Sequence, residues 1–301
     1  LTQHIGWRSI FLVNVPLGGL VIFFLSTKLR NEWAEARGEK FDFAGSVLYS
    51  MTLIMFMYGL SLLPARAGIA FTLAGIGGAA LFVFWEKKAM SPLLNMDLFF
   101  RNPAFAFSNL AALINYSATF AVTFLMSLYL QYIQGLTPGQ AGMVLVSQPA
   151  VMAVFSPLAG RLSDKIEPRI VASVGMAFTA TGLFLFTFLG RETHLGFVVA
   201  GLILLGFGFA LFSSPNTNAV MSSIDKRFYG VGSATIGTMR LTGQMLSMGI
   251  AMVIFSVHIG SASITPEYHP LFLAGMKTGF IIFSSLCVAG IFASLARGKV
   301  R

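Results

Sequence analysis

Charged residues are scarce in this chain. They make up 10% of its 301 residues, whereas hydrophobic residues make up 56%. Soluble domains carry about 25% charged residues, so a chain this poor in charge cannot present an ordinary water-facing surface. The scarcity excludes a typical soluble globule and favours a protein surrounded by a lipid bilayer.

Cysteine and catalytic motifs are also missing. Cys287 is the single cysteine, so no disulfide can form within the chain, and we expect this residue to be a small buried hydrophobe. The four histidines lack metal-ligand spacing, and no zinc-protease, nucleophile-elbow or Walker sequence occurs. We therefore predict no catalytic residue, no metal, no cofactor and no enzyme activity.

Long apolar stretches, by contrast, fill the sequence. A membrane-crossing helix needs about 20 mostly apolar residues, and nine stretches qualify, which predicts an all-α membrane protein. They are residues 10–29, 43–63, 68–85, 104–131, 139–159, 169–189, 195–217, 229–258 and 271–294. The joint from Trp85 to Pro103 mixes apolar and basic residues, which is typical of an interfacial segment.

The chain has a net charge of +9, and the positions of its basic residues indicate the membrane topology. Fifteen of the twenty Lys and Arg fall in one set of joints and four in the opposite set. Positive loops stay cytoplasmic, so we predict that the C-terminus is cytoplasmic and that Leu1 lies outside. The same distribution argues against a nucleic-acid partner, because the charges lie in short runs between apolar stretches.

Ionisable residues within the predicted spans are few, and each is costly there. Arg240 lies near the middle of the eighth span; it either lines a water-filled pathway or clamps neighbouring polar groups. Lys277 is expected to reach the outer interface. No Asp or Glu lies deep in a span, so a coupling carboxylate is not expected in this chain.

Uncharged polar residues within the spans are the other candidates for a substrate pathway. Arg240 and Gln244, like Asn115 and Thr119, are four residues apart and share a helix face. Each such residue either lines the pathway or forms a hydrogen bond between helices. With Arg240, the candidates are Asn115, Tyr116, Thr119, Gln148, Asn216, Asn218 and Gln244.

Proline marks candidate helix breaks. It removes one backbone hydrogen bond and kinks a helix, and broken spans often line transport sites. Proline is also tolerated in ordinary membrane helices. The four candidates are Pro16, Pro149, Pro157 and Pro215.

The joint from Gly160 to Arg169 resembles the cytoplasmic loop motif of the major facilitator superfamily. The resemblance implies that Gly160 permits a tight turn and that Arg161, Asp164, Lys165 and Arg169 form a charge network. The match is partial, since Glu167 replaces the usual second glycine and Pro168 replaces a basic residue.

Four further segments resemble the drug:proton antiporters with fourteen spans, the EmrB/QacA type, and they keep that family's order. They are residues 6–18, 92–102, 128–149 and 239–243. The resemblance implies that residues 1–29 hold the last span of an N-terminal bundle. Residues 30–103 would hold an extra central helix pair and its linkers, and residues 104–301 a C-terminal six-helix bundle.

The same resemblance implies that spans one to five are missing, together with their coupling carboxylates. The chain begins with Leu and shows no signal-peptide pattern, which fits a start within a longer protein. The expected localisation is a bacterial-type cytoplasmic membrane. Beyond the missing bundle, the expected partners are the bilayer, protons and a small-molecule substrate.

The expected function is proton-coupled export of small amphipathic compounds by alternating access. Two alternatives stay open at this point. One is a transporter of the same fold for another solute, such as a siderophore, an amino acid or a lipid. The other is a membrane sensor or scaffold that transports nothing.

Overall fold

The structure, a computed structural model, describes residues 6, 8–28, 42–89, 92–94, 96–260 and 264–298. All regular elements in these ranges are helices, so the predicted all-α membrane fold is confirmed. Within the same ranges, eight helices are long and apolar enough to cross a membrane. The chain divides into two compact units, residues 1–39 and 40–301.

The first unit contains α1, Ser9–Leu12, and α2, Asn14–Lys28. The span predicted at residues 10–29 is therefore split, and α2 has only 15 residues. Pro16 explains the interruption at Val13, because it has no N–H for the carbonyl of Leu12 and clashes with it. The charged joint predicted at residues 30–42 lies, apart from Asp42, outside the described residues.

The second unit contains the eight long helical spans, and their bounds agree with the predicted spans to within a few residues. Its helices are α3 Phe43–Ser61, α4 Arg66–Glu86, α5 Asp97–Phe100, α6 Pro103–Leu128, α7 Pro138–Leu145, α8 Ser147–Ser163, α9 Pro168–Leu185, α10 Leu195–Ser222, α11 Tyr229–His258 and α12 His269–Ala296. A π-helical turn, Tyr129–Ile133, follows α6.

Six of these spans form a bundle, and the other two form a hairpin beside it. Helix α10 packs between α8 and α9, whereas α6 packs between α11 and α12, and α9 contacts α12 to join the two groups. Helices α3 and α4 pack against each other, and α3 also contacts α11.

The core of the bundle lies along α6, α9, α10 and α12. In the most apolar stretch of α9, 61% of residues are buried, against 6% for the span made of α7 and α8. Met176, Phe212, Phe280 and Phe283 are almost fully buried in this core. Cys287 is also fully buried there, as predicted. The span of α7 and α8 therefore stands at the margin of the bundle and leaves most of its surface uncovered.

Proline affects the two halves of the α7–α8 span differently. The helix is interrupted at Val146, between α7 and α8, because Pro149 has no N–H for the carbonyl of Leu145. Helix α8 continues through Pro157, and α10 continues through Pro215. Of the four proline candidates, Pro16 and Pro149 thus follow an interruption, and the other two lie inside uninterrupted helices.

Specific contacts hold the described residues of the joint after α4. Helix α4 runs one residue further than predicted, to Glu86, whose side chain is only 3% exposed. Glu86 Oε2 accepts a hydrogen bond from the backbone N–H of Leu94, at 2.9 Å. The ring of Phe99 packs edge-on against Phe105 at 5.0 Å, which fixes α5 to the start of α6.

Candidate functional site

Two adjoining cavities open beside α6 and α8 within the six-helix bundle. The first has a volume of about 180 Å³ and the second about 310 Å³, and they share Thr123, Gln148 and Met152. The first is also lined by Tyr116, Thr119, Phe120, Phe209 and Gln244, and the second by Gly142, Leu145, Val146 and Pro149. We call the residues of the first cavity the polar wall.

The polar wall brings together four of the eight predicted pathway residues. Tyr116 and Thr119 come from α6, Gln148 from α8 and Gln244 from α11. The same-face argument from sequence paired Thr119 with Asn115 and Gln244 with Arg240, and no pattern in the sequence could join Tyr116 or Thr119 to Gln148 or Gln244. Helix packing alone makes that connection.

Two glycines allow the helices of the polar wall to approach closely. A Cβ atom on Gly243 would lie 2.7 Å from the carbonyl oxygen of Leu113 and 2.8 Å from Cβ of Tyr116. A Cβ on Gly206 would lie 2.4 Å from the carbonyl oxygen of Gln148. A larger residue in place of Gly243 would push α11 away from α6, and one in place of Gly206 would push α10 away from α8. The glycines therefore set the separation of the side chains that line the cavity.

The chemistry of the polar wall is uncharged and partly aromatic. The side-chain amides of Gln148 and Gln244 and the hydroxyl of Tyr116 are half-buried. Within the described part of the chain, none of the three makes a hydrogen bond. The Tyr116 ring packs edge-on against Phe209, with the ring centroids 5.5 Å apart. The wall thus offers free donors and acceptors beside apolar surface, which is typical of a small-molecule site.

Arg240 does not line either cavity. Its side chain is exposed and makes no hydrogen bond or ion pair with the described residues. Asn115 lies next to Tyr116 but is fully buried, and neither its amide nitrogen nor its oxygen has a partner among those residues. Lys277 is exposed near the start of α12. Pathway roles for Arg240 and Asn115 stay predictions.

The last two pathway candidates lie at the end of α10, away from the polar wall. Asn218 donates to Ser163 Oγ at 3.0 Å and to Asp164 Oδ1 at 3.4 Å. It thereby ties α10 to the predicted loop motif. In that motif Gly160 and Arg161 end α8, Asp164 caps it, Lys165 follows, and Arg169 lies in the first turn of α9. Asn216 belongs to a separate buried cluster.

That cluster surrounds Arg297, which the sequence analysis did not single out. The side chain is only 1% exposed, although Arg297 follows α12 directly. Its Nε donates to the Ser294 carbonyl at 2.8 Å, and its Nη1 to Ser108 Oγ and Asn216 Oδ1 at 3.3 and 3.2 Å. Its Nη2 donates to the Ser294 hydroxyl, which also accepts from Ser173 Oγ at 2.9 Å.

We call these five residues, Ser108, Ser173, Asn216, Ser294 and Arg297, the arginine cluster. Burial lowers the pKa of the Arg297 guanidinium to about 10, while the nearby Glu167 carboxylate opposes that shift and Arg169 adds to it. The cluster joins α6, α9, α10 and α12 at one end of the bundle. In the sequence, Arg297 resembled any basic residue after a span, so only packing could reveal its burial.

Comparisons with known proteins find relatives of this sequence and of its architecture. The family model described as Major Facilitator Superfamily matches residues 108–299. The riboflavin transporter RibZ of Clostridioides difficile is 23% identical over 98% of this chain and 64% of its own length. The multidrug resistance protein Stp of Mycobacterium tuberculosis is 27% identical over 89% of this chain and 50% of its own length.

A third relative, the tetracenomycin C resistance and export protein of Streptomyces glaucescens, is 28% identical over 86% of this chain and 49% of its own. This chain therefore spans about half to two thirds of the length of these relatives. Among solved structures, a bacterial homologue of the human lysosomal transporter Spinster, in an inward-facing and occupied conformation, has the same fold. Its TM-score is 0.53, with 15% identity over 85% of this chain and 65% of that one.

Proposed function

Because this chain belongs to the Major Facilitator Superfamily, we propose that it forms one wall of a secondary transporter. The polar wall would contact a small amphipathic solute as it crosses the membrane by alternating access. The observation that carries this proposal is the meeting of Tyr116, Gln148 and Gln244 from three helices around one cavity. Their polar groups have no partner among the described residues, so a solute can bind them.

Efflux of toxic compounds in exchange for protons is the transport mode that we propose. Two of the similar proteins are named for multidrug resistance and for tetracenomycin C resistance and export. A wall of Tyr116, Phe120, Met152 and Phe209 suits solutes of varied shape, because aromatic and methionine surfaces adapt to different ligands. We assign this chain to the fourteen-span EmrB/QacA type because residues 6–18, 92–102, 128–149 and 239–243 resemble that family.

We further propose that residues 1–29 belong to an N-terminal bundle whose remaining spans lie outside this chain. Residues 30–103 would then be the extra central pair, and residues 104–301 the C-terminal bundle, with the C-terminus in the cytoplasm. Among the described residues, no acidic side chain lines either cavity, so the proton-coupling carboxylate would reside in that N-terminal bundle. The opposite bundle would cover the polar wall and complete the pathway.

A second candidate solute is a planar aromatic vitamin. The match to the riboflavin transporter covers nearly the whole chain, and the edge-on pair of Tyr116 and Phe209 offers apolar ring faces to a flat molecule. Uptake of riboflavin and efflux of ethidium, measured in the same cells, would separate this candidate from drug export.

The test is reconstitution into vesicles with an imposed proton gradient. The gene product that includes the upstream spans is expected to drive efflux of ethidium, whereas this chain alone is expected to drive none. The Gln244→Leu and Gln148→Leu variants of the longer protein are each expected to transport about tenfold more slowly. Proton-driven efflux by this chain alone would contradict the missing-bundle proposal, and full activity of both variants would contradict the polar wall.

A further inference from the structure

A third cavity, of about 560 Å³, lies outside the six-helix bundle, between the α3–α4 hairpin and α11. Its wall includes Phe56, Ile76 and Phe82 from the hairpin and Met239 from α11. The volume falls within the range of about 300–1,000 Å³ that small-molecule sites occupy. It shares no lining residue with the polar wall, so the proposed transport pathway does not account for it.

Three of the five polar side chains in this wall are already hydrogen-bonded, and the other lining residues are apolar, which argues for an apolar occupant. The hydroxyls of Tyr49 and Thr238 lie 2.6 Å apart and bond to each other. The hydroxyls of Thr235 and Thr238 also donate to carbonyls of their own helix. Thr52 Oγ1 is buried beside Gly78 and has no hydrogen-bond partner among the described residues. A hydrocarbon chain therefore suits this cavity better than a polar solute.

One edge of the cavity carries positive charge. The Lys87 ammonium lies 4.7 Å from the centre of the Phe100 ring, and Phe100 lines the cavity. Lys88 follows it, with its ammonium 4.1 Å from the ring of Phe84. Both lysines are exposed, and neither forms an ion pair with the described residues. Both ammonium groups can therefore bind an anionic group of a membrane lipid.

Each acidic group near this edge has a partner other than the two lysines, although Glu86 Oε1 is buried without a hydrogen-bond partner among the described residues. Glu86 is buried and accepts from the Leu94 backbone N–H. Asp42 accepts from the Trp85 indole N–H at 3.0 Å. Asp97 pairs with Arg101 at 3.3 Å. The two lysine ammoniums are therefore exposed charges next to the opening, and neither has an ion-pair partner among the described residues.

We propose that this cavity is a binding site for an anionic membrane phospholipid, distinct from the substrate pathway. One acyl chain enters between the hairpin and α11, and the phosphate pairs with Lys87 and Lys88. The lipid would fill the gap between α3–α4 and the bundle and so hold the hairpin in place. The proposal requires insertion in a membrane but does not depend on which solute the protein transports.

The experiment is native mass spectrometry of the purified chain with phosphatidylglycerol or phosphatidylcholine as probe. Phosphatidylglycerol is expected to bind with a stoichiometry of one and at least about tenfold more tightly. Ala79→Phe fills the cavity and is expected to abolish this binding. Ala80→Phe is the matched control, because Ala80 is the next residue, is also exposed and does not line the cavity.

The charge variant keeps the proposal testable if Ala79→Phe fails to fold. The double variant Lys87→Gln and Lys88→Gln changes exposed residues only, and it is expected to weaken phosphatidylglycerol binding about tenfold while leaving phosphatidylcholine unaffected. Lys226→Gln, an exposed lysine beyond the cavity, is expected to change nothing. Equal binding of the two lipids, or full binding by the double variant or by folded Ala79→Phe, would overturn the proposal.

Discussion

The polar wall and the arginine cluster are two groups of polar residues in one bundle, and they differ in whether their hydrogen bonds are made. In the arginine cluster, Arg297, Asn216 and Ser108 are buried and bonded to one another. In the polar wall, Gln148 and Gln244 are half-buried and have no partner among the described residues. Because an unpaired polar group in a membrane protein is costly, satisfied clusters indicate structure and unsatisfied ones indicate binding.

The largest effect is expected from breaking the arginine cluster. Arg297→Ala removes a buried guanidinium and leaves Asn216 Oδ1 and the Ser294 carbonyl without a donor. Stranded buried acceptors of this kind cost about 3 kcal/mol together. Equilibrium unfolding in mixed micelles would measure the loss of stability. Arg101→Ala is the control, because its side chain is 82% exposed in its ion pair with Asp97, and a change below about 1 kcal/mol is expected.

The pKa of Arg297 also determines the pH range in which this residue makes the stability of the protein depend on pH. Its pKa is lowered to about 10 in the folded protein, so the unfolded chain binds more protons only above about that pH. Stability therefore rises with pH through this residue only above about pH 10. Between about pH 6 and 9 the guanidinium is charged in both states, and Arg297→Ala is expected to lower stability equally across that range. A loss that varied with pH would contradict the burial described for this group.

A smaller loss is expected from separating the helices of the polar wall. Gly206→Ala would place a Cβ only 2.4 Å from the Gln148 carbonyl oxygen, which belongs to a helix backbone and cannot rotate away. The forced separation of α10 from α8 is expected to cost about 2 kcal/mol of folding stability. Gly237→Ala serves as the control, since nothing lies within 4 Å of its added Cβ. Equal stability of the two variants would show that α8 shifts freely.

Removing one amide from the polar wall tests the proposed pathway directly. Gln244→Leu removes an amide without stranding any described partner, so stability is expected to stay within about 0.5 kcal/mol. Transport by the longer protein is expected to fall about tenfold, because a solute loses one hydrogen bond. Thr181→Val, on the exposed side of α9, should leave efflux from vesicles unchanged. Unaltered transport by Gln244→Leu would remove this residue from the wall.

Apolar run length predicted the helices well, because a bilayer demands about 20 apolar residues wherever a helix crosses it. At residues 10–29 it did not predict the interruption at Val13, which Pro16 explains. Local spacing could not distinguish Asn216, which bonds Arg297, from Gln148, which faces a cavity. Both are amides within a span, and their difference arises only from which helices pack beside them. The sequence thus predicted that uncharged polar residues within the spans line the site, but not which of them do.

Two buried asparagines are expected to respond to the same substitution in opposite directions. Asn115→Leu replaces an amide that has no partner among the described residues, so stability is expected to rise by about 1 kcal/mol. Asn216→Leu removes the donor to the Ser108 carbonyl and the acceptor of Arg297 and is expected to lower stability by about 2 kcal/mol. Equilibrium unfolding of the two variants measures both changes. If both lose stability alike, Asn115 is held by a bound water or solute, and it would then join the polar wall beside Tyr116.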